Sequence, residues 1–313
     1  MLSDIYLVLI SLYGYMRWQY GHDIWQIALL SEGLIYWMLP VFLVFFVMLL
    51  LNAWIRVGIA LAGVAVYLIM FGPVLLDIPR LPAGNTVTVL TYNAGQSLTE
   101  PEALRDLIED TDADLVGLQE ITPAHLQSVA GMYPHEAAYI EEGYALLSRY
   151  PIVDAQNVPT FQEEDPSVLH TWIDLDGVLT SVMVVRFKAP RLGSYVTGYG
   201  YHIWPNSDRL LERVGSGPTI IMGDLNATDQ NENVTDFYAA GLTDAHRAGG
   251  WGFGATFPAR TDGWRSVPRG VPPLLRIDYV FVSEEIDVVR TYTGKRAGSD
   301  HLPVIARLKV AGE

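Results

Sequence analysis

Two hydrophobic patterns divide this chain. Up to residue 76 the apolar positions run together. Beyond residue 86 they alternate, or recur at helical spacing, in short stretches separated by polar islands. Leu34 to Leu51 is almost continuously apolar, with Pro40 as the one expected kink, and Val57 to Leu76 carries no charge over twenty residues. A helix rises ~1.5 Å per residue and needs about 20 apolar residues to cross the hydrocarbon core. Both runs are therefore predicted to span a membrane, as a tight hairpin around Asn52-Ala53-Trp54-Ile55-Arg56. Ile5 to Met16 is shorter. It makes a third span if Leu2 to Trp18 is counted, or an interfacial segment. Trp18, Trp25, Trp37 and Trp54 fall near the predicted ends, as interfacial aromatics do.

Residues 1–80 are thus expected to be a membrane anchor of two or three helices, and residues 81–313 a separate folded domain. Arg56 in the hairpin loop places that loop in the cytoplasm by the positive-inside rule, and the next span then carries residue 77 onward to the outer, periplasmic side. The expectation is a multi-pass protein of the inner membrane. Asp77-Ile78-Pro79-Arg80-Leu81-Pro82-Ala83-Gly84 reads as the linker, since two prolines and a glycine end a helix and begin extended chain.

The second part alternates strands with helices. Thr86 to Tyr92 has the β-branched alternation of a strand, and Thr99 with Glu102 has the spacing of a capping box before the amphipathic Ala103 to Ile108. Further strands are predicted at Asp114–Leu118, Tyr144–Arg149, Thr219–Met222, Ile277–Val282, Ile286–Thr291 and Val304–Val310. Helices are predicted at Pro123–Ala130, Asp208–Val214 and Asn231–Ala240. Leu169–Leu175 and Leu179–Phe187 flank Asp176-Gly177, a hairpin signal. Many strands with interspersed helices indicate an α/β sandwich.

Charge narrows the function. Residues 81–313 hold 17 of the 20 Lys+Arg and 31 of the 35 Asp+Glu, a net charge of −14. Non-specific binding to duplex DNA needs clustered cations, so this balance argues against it. The chain has no cysteine, which excludes disulfides, thiol nucleophiles and cysteine zinc sites.

The candidate chemistry lies at strand ends. Glu120 follows the apolar run Leu115 to Leu118, where a carboxylate is costly unless paired or metal-bound. Asp224 and Asn226 are two apart on extended chain and point the same way, so the acid can orient a water and the amide can donate to a phosphate or hold the acid. Gly223 permits a close backbone approach. His301 can act on a phosphate or accept the proton of a water, and Asp278 is the natural partner to fix its tautomer. Hard oxygen ligands of this kind suit Mg²⁺ or Mn²⁺.

Five islands occur in fixed order: Thr91-Tyr92-Asn93, Leu118-Gln119-Glu120, Gly223-Asp224-Leu225-Asn226, Arg276-Ile277-Asp278-Tyr279 and Gly298-Ser299-Asp300-His301-Leu302-Pro303-Val304. With Leu146-Leu147-Ser148-Arg149-Tyr150-Pro151, they resemble the endonuclease/exonuclease/phosphatase family, the metal-dependent phosphoesterases related to pancreatic deoxyribonuclease. The resemblance covers about Thr86 to Lys309 and leaves out the anchor, and membrane-tethered bacterial members have a similar layout. It implies a four-layer fold, two facing sheets flanked by helices, with the site where strand ends converge. It also implies that Asp278 and His301 form a dyad, that Asp300 joins the metal site, and that Asn93 and Glu120 lie beside the metal or the phosphate.

One position departs from the resemblance. Where members usually carry a His, sometimes a Tyr, that stabilises the phosphate or protonates the leaving group, this chain has Arg186. Arginine binds phosphate bidentately but is no general acid near neutral pH. Nearby His202 is a candidate substitute. Arg260, Arg265, Arg269 and Arg276 share one long Gly- and Pro-rich stretch, readable as an anionic-substrate clamp, a protein-docking loop or a solvated surface.

The expected function is that of a membrane-anchored, divalent-metal-dependent phosphoesterase acting on a phosphodiester or phosphomonoester. Asp224, Asn226, Asp278 and His301 would be catalytic, Asn93 and Arg186 would bind substrate, and Glu120 and Asp300 would bind the metal. The alternative is a catalytically impaired pseudoenzyme that serves as a structural subunit of a membrane assembly. The expected partners are the bilayer, a phosphate ester and, on the second reading, other membrane proteins.

Overall fold

The computed structural model of the protein describes residues 2–21, 24–76, 86–158, 168–189, 210–215, 217–260 and 270–310. His202, Arg265, Arg269, the linker residues 77–84 and the first part of the helix expected at 208–214 lie outside them.

The apolar N-terminal part forms five helices: α1 (Leu2–Tyr20), α2 (Trp25–Glu32), α3 (Leu34–Trp37), α4 (Pro40–Leu50) and α5 (Trp54–Leu76). Within α5, Trp54–Gly72 is long and apolar enough to cross a membrane. The run expected as the other span is split between α3 and α4, and reaches that length only by joining α2 across a 77° bend. The sharp bend is at Gly33, not at Pro40. Pro40 sits in the first turn of α4, where its missing N–H costs nothing. Tyr13, Ile27, Leu34, Met38, Tyr67 and Phe71 pack into a core that α1, α2, α3 and α5 share.

The rest is two mixed six-stranded sheets. The first contains β1 (Val87–Asn93), β2 (Leu115–Gln119), β3 (His135–Tyr139), β4 (Tyr144–Ser148), β11 (Ile286–Thr293) and β12 (Val304–Val310), in the order β11-β12-β1-β2-β4-β3. The second contains β5 (Ile152–Val158), β6 (Val168–Leu175), β7 (Val178–Arg186), β8 (Thr219–Asp224), β9 (Thr243–Asp244) and β10 (Asp278–Val282), in the order β5-β6-β7-β8-β10-β9. The β6–β7 hairpin turns at Asp176 (φ 54) and Gly177 (φ 93), the paired positive φ of a tight primed turn. Strands β3, β5 and β9 have no clean alternation in sequence. All three are sheet edges: β3 and β5 have half-exposed faces, and β9 is two residues long.

Strand phase makes the layers. Val87, Val89, Leu115, Leu146, Val182, Val184, Ile220, Met222, Val280, Val304 and Ala306 point between the sheets into one buried core. The intervening Leu90, Tyr92, Val116 and Leu118 point outward, under α6 (Pro101–Thr111) and α7 (Pro123–Ser128). On the other side, Met183, Val185, Ile221, Tyr279 and Phe281 pack with Val234 and Phe237 of α8 (Glu232–Ala239). Each fully buried aliphatic side chain contributes about 1.5–3 kcal/mol. A further short helix, α9 (Ala245–Gly249), packs on β10 and β11.

The capping box expected at Thr99–Glu102 does not form. Glu100 is the N-cap of α6 with no side-chain bond, Pro101 opens the helix, and the Thr99 hydroxyl is paired with the Tyr92 hydroxyl at 3.1 Å. A capping box does form one helix later, between Thr122 and His125 of α7.

Candidate active site

The site lies where the inter-sheet core runs out of apolar residues. Alternation carries Val87 and Val89 through Thr91 to Asn93 on β1, Val182 and Val184 to Arg186 on β7, and Ile220 and Met222 to Asp224 on β8. On β10 the same phase leads back from Val282 and Val280 to Asp278. Polar residues at inward positions of strand ends therefore meet in one cleft. In the second sheet three of them share one register line, since β7 pairs Arg186 with Asp224 and β10 pairs Asp278 with Asp224 from the other side.

Asp224 is the hub. Its Oδ2 accepts from Asn93 Nδ2 at 3.0 Å and from Asn226 Nδ2 at 2.7 Å, and its Oδ1 accepts from the Asn226 amide at 2.8 Å. Asn226 has a left-handed backbone (φ 47), and its Nδ2 also donates to the Phe187 carbonyl at 2.8 Å. The strand reaches this turn through Gly223 (φ 148), where a Cβ would stand 1.9 Å from the Val185 carbonyl oxygen. Only glycine allows β8 to lie this close to β7.

His301 and Asp278 form the expected dyad. Nδ1 of His301 lies 2.9 Å from Asp278 Oδ2 and 3.1 Å from Oδ1, leaving Nε2 directed at Asp224 Oδ2, 4.0 Å away. The ring is placed from behind, for the His301 amide donates to Ser299 Oγ at 3.1 Å and the Ser299 amide to the Tyr92 hydroxyl at 3.2 Å. Phe257 packs against the imidazole with ring centroids 5.2 Å apart. Neither Ser299 nor Tyr92 was singled out by sequence for this supporting role. The only signal available was their place inside two of the islands.

Burial and charge act in opposite directions on these groups. Burial alone would lower the His301 pKa, but the charges of Asp278 and Asp224 and the bond from Asp278 outweigh it and lift it to about 10. For Asp224, burial dominates. With the adjacent Asp278 charge it raises the carboxyl to about 7, against the pull of His301 and the Asn226 amide.

Glu120 stands on the first sheet's side of the cleft. Its backbone is left-handed (φ 50), uncommon for a glutamate and a form of strain that collects at functional sites. That turn breaks the strand alternation and brings Oε1 to 3.2 Å from Asn93 Nδ2. Arg186 Nε is 2.8 Å from the same oxygen, an ion pair whose N–H direction is not aligned for a hydrogen bond. Oε2 of Glu120 takes no protein donor among the described residues. Asp300 is buried, and its carbonyl accepts from Ala259 at 2.6 Å.

The donor set fits a divalent cation. Glu120, Asp224 and Asp278 outnumber Arg186 and a protonated His301 in the cleft, and Glu120 Oε2 takes no donor among the described residues that a cation would have to displace. Among the described residues, the cluster whose potential ligand atoms lie within 4.8 Å of one another is Asp224, Asp278 and His301, so Glu120 and Asp300 do not form such a cluster themselves.

Sequence grouped Arg276 with the loop arginines, but it is buried. Its guanidinium lies between Asp229, 2.7 Å from Nη2, and Asp244, 2.6 Å from Nη1. It locks the β8–α8 loop to the start of β10 and is not available as a substrate clamp.

An α/β sandwich of two six-stranded sheets, with an acidic, histidine-bearing cleft at converging strand ends, is the class of fold defined here. The chain belongs to the Endonuclease/Exonuclease/phosphatase family, whose sequence profile matches residues 90–301. The fold is shared with the endonuclease/exonuclease/phosphatase structure from Beutenbergia cavernae (TM-score 0.55, 19% identity, 73% of this chain and 72% of that one). It is also shared with D. rerio TDP2 complexed with a single-strand DNA product (0.54, 15%, 72% and 100%). A third likeness is the mannosyl-6-phosphatase Bt3783 of Bacteroides thetaiotaomicron (0.52, 18%, 71% and 99%). No curated protein matches the chain.

Proposed function

We propose that this protein is a membrane-anchored phosphoesterase that uses a divalent cation, Mg²⁺ or Mn²⁺, to hydrolyse a phosphodiester or phosphomonoester. The reading rests above all on the Asp278–His301 dyad aimed at Asp224, with Asn93 and Asn226 bonded to that same carboxylate. The family contains phosphodiesterases and phosphatases. What the named relatives act on, a DNA strand and a sugar phosphate, has only the phosphate ester in common. The acidic domain makes duplex DNA a poor candidate.

The roles follow from protonation. An imidazole held protonated by Asp278 stabilises negative charge on a phosphate oxygen through Nε2. Asp224, titrating near neutrality, takes the proton of an attacking water, and the two asparagine amides fix the carboxylate for it. Glu120 and Asp300 would hold the cation, which when bound neutralises phosphate charge. Arg186 leaves Glu120 to grip the phosphate.

The anchor reading is supported by the two ends of the helical part. Arg56, in the first turn of α5 rather than in the loop before it, pairs with Asp4, so the starts of α5 and α1 lie at one end. Arg17, Glu32 and Met70 meet the globular domain at the other. With Arg56 in the cytoplasm, the domain is periplasmic and the protein multi-pass in the inner membrane.

The second reading is a pseudoenzyme that is a structural subunit among other membrane proteins. The Arg186–Glu120 ion pair favours it, because a cation must compete with that guanidinium. Hydrolysis of an activated phosphodiester and of a phosphomonoester by the full-length protein in detergent, with Mg²⁺ and then Mn²⁺, separates the two. Metal-dependent turnover supports the enzyme. A folded protein with no turnover supports the subunit.

A further inference from the structure

Between residues 24 and 76 the chain carries two charges, Glu32 and Arg56. Glu32 ends α2, directly before the Gly33 bend, and is half-buried. A carboxylate among apolar helices is costly unless donors meet it. The donors come from the globular domain, 196 and 199 positions along the chain: the Thr228 amide to Oε2 at 3.0 Å and Asn231 Nδ2 to Oε1 at 2.6 Å. Arg17, in the last turn of α1, donates through Nη2 to the Gln230 carbonyl at 3.0 Å. Tyr36 of α3 donates to the Leu274 carbonyl.

The partners named here for Glu32 and Arg17 lie in residues 228–231, the loop that leaves Asp224 and Asn226 for α8. The loop's other side is stapled to the strand that carries Asp278. Leu225 N donates to the Ile277 carbonyl at 2.8 Å, the Tyr279 hydroxyl to the Ala227 carbonyl at 3.1 Å, and Asp229 pairs with Arg276 at 2.7 Å. The catalytic loop is thus held between the helical anchor and β10.

We propose that Glu32, backed by Arg17, is a positioning residue that clamps the loop following Asp224 and Asn226, so that the anchor helps set the geometry of the phosphoesterase site. The anchor then acts as part of the site's scaffold. Its catalytic readout rests on the phosphoesterase reading, and its structural readout does not.

The test uses the full-length protein in detergent, comparing wild type with Glu32→Ala, Glu32→Gln and Arg17→Gln by amide hydrogen exchange and by steady-state hydrolysis. In Glu32→Ala, exchange over residues 225–231 should accelerate by about tenfold or more while β1 and β6 stay protected. Misplacing the loop should lower kcat by about 10–100-fold with KM little changed. Glu32→Gln, which keeps one acceptor oxygen, should recover part of both. Unchanged exchange in this loop overturns the proposal, and so does faster exchange with unaltered kcat. Faster exchange in a protein whose wild type lacks turnover upholds the clamp and rejects the phosphoesterase reading instead. If Glu32→Ala fails to fold, Arg17→Gln and Glu32→Gln carry the same comparison.

Discussion

Arg186 Nε stands 2.8 Å from Glu120 Oε1, so the expected cation ligand and the expected phosphate ligand of this site hold each other. The pair crosses the cleft from β7 in one sheet to the end of β2 in the other. It gives Arg186 two functions of opposite sign, competing with a cation and binding a substrate.

Arg186→Ala should therefore move two measurements in opposite directions. Cation affinity of the substrate-free protein, by titration calorimetry, should rise because Glu120 loses its competitor. At saturating cation kcat/KM should fall by about 10–100-fold, the worth of a charge-assisted contact to phosphate. A rise in both would mark Arg186 as a plug.

The pH dependence of kcat/KM should be bell-shaped. Activity rises with pH as Asp224, raised to about 7 by burial, loses its proton, and falls as His301, held up to about 10 by Asp278, loses its own. A bound cation favours the ionised carboxylate, so the rising limb should move to lower pH as its concentration increases. An alkaline limb that survives Asp278→Asn unshifted would remove His301 from the account.

Arg276 sets a stability test. Burial raises the Asp229 pKa, but the Arg276 charge overcomes this and holds the carboxyl below its ordinary value. Arg276→Met leaves Asp229 and Asp244 without their shared cation and should cost about 3–5 kcal/mol in denaturant unfolding. Adding Asp229→Asn and Asp244→Asn to it should recover much of that loss.

His170 gives a pH test far from the cleft. On β6 its Nε2 is 2.8 Å from Ser181 Oγ, while Nδ1 is buried with no partner among the described residues. Burial, with the charge of Arg213, lowers its pKa from 6.5 to about 4. The folded state therefore disfavours the imidazolium. The stability that goes with neutral His170 is complete above pH 6.5 and is lost as pH falls through about 4. The stability difference between wild type and His170→Gln should shift against the wild type across that window, and a constant difference would contradict the assignment.

Much of this was legible in the chain. Period-two alternation located the strands that carry the site, and its phase decided which polar residues face inward: Asp224 follows Met222 and Ile220, and Asp278 precedes Val280. The order of the islands gave the fold. Other parts were not local. Nothing near Glu120 announces its left-handed turn or its pairing with Arg186, 66 positions away. Edge strands such as β3 lack a buried face and so lack the pattern. Arg276 read as a loop cation because its two acid partners, Asp229 and Asp244, come together with it only in the fold. Glu32 is a lone acid in an apolar stretch, and its donors Thr228 and Asn231 lie in another part of the chain.

The most direct measurement is the kcat of full-length protein on an activated phosphodiester, with and without Mg²⁺ or Mn²⁺, alongside Glu120→Ala and His301→Ala. Turnover should require the cation and fall by about 10²–10⁴-fold in His301→Ala, with the Glu120→Ala protein needing far more metal. Folded wild-type protein that turns over no faster than the two variants would contradict it.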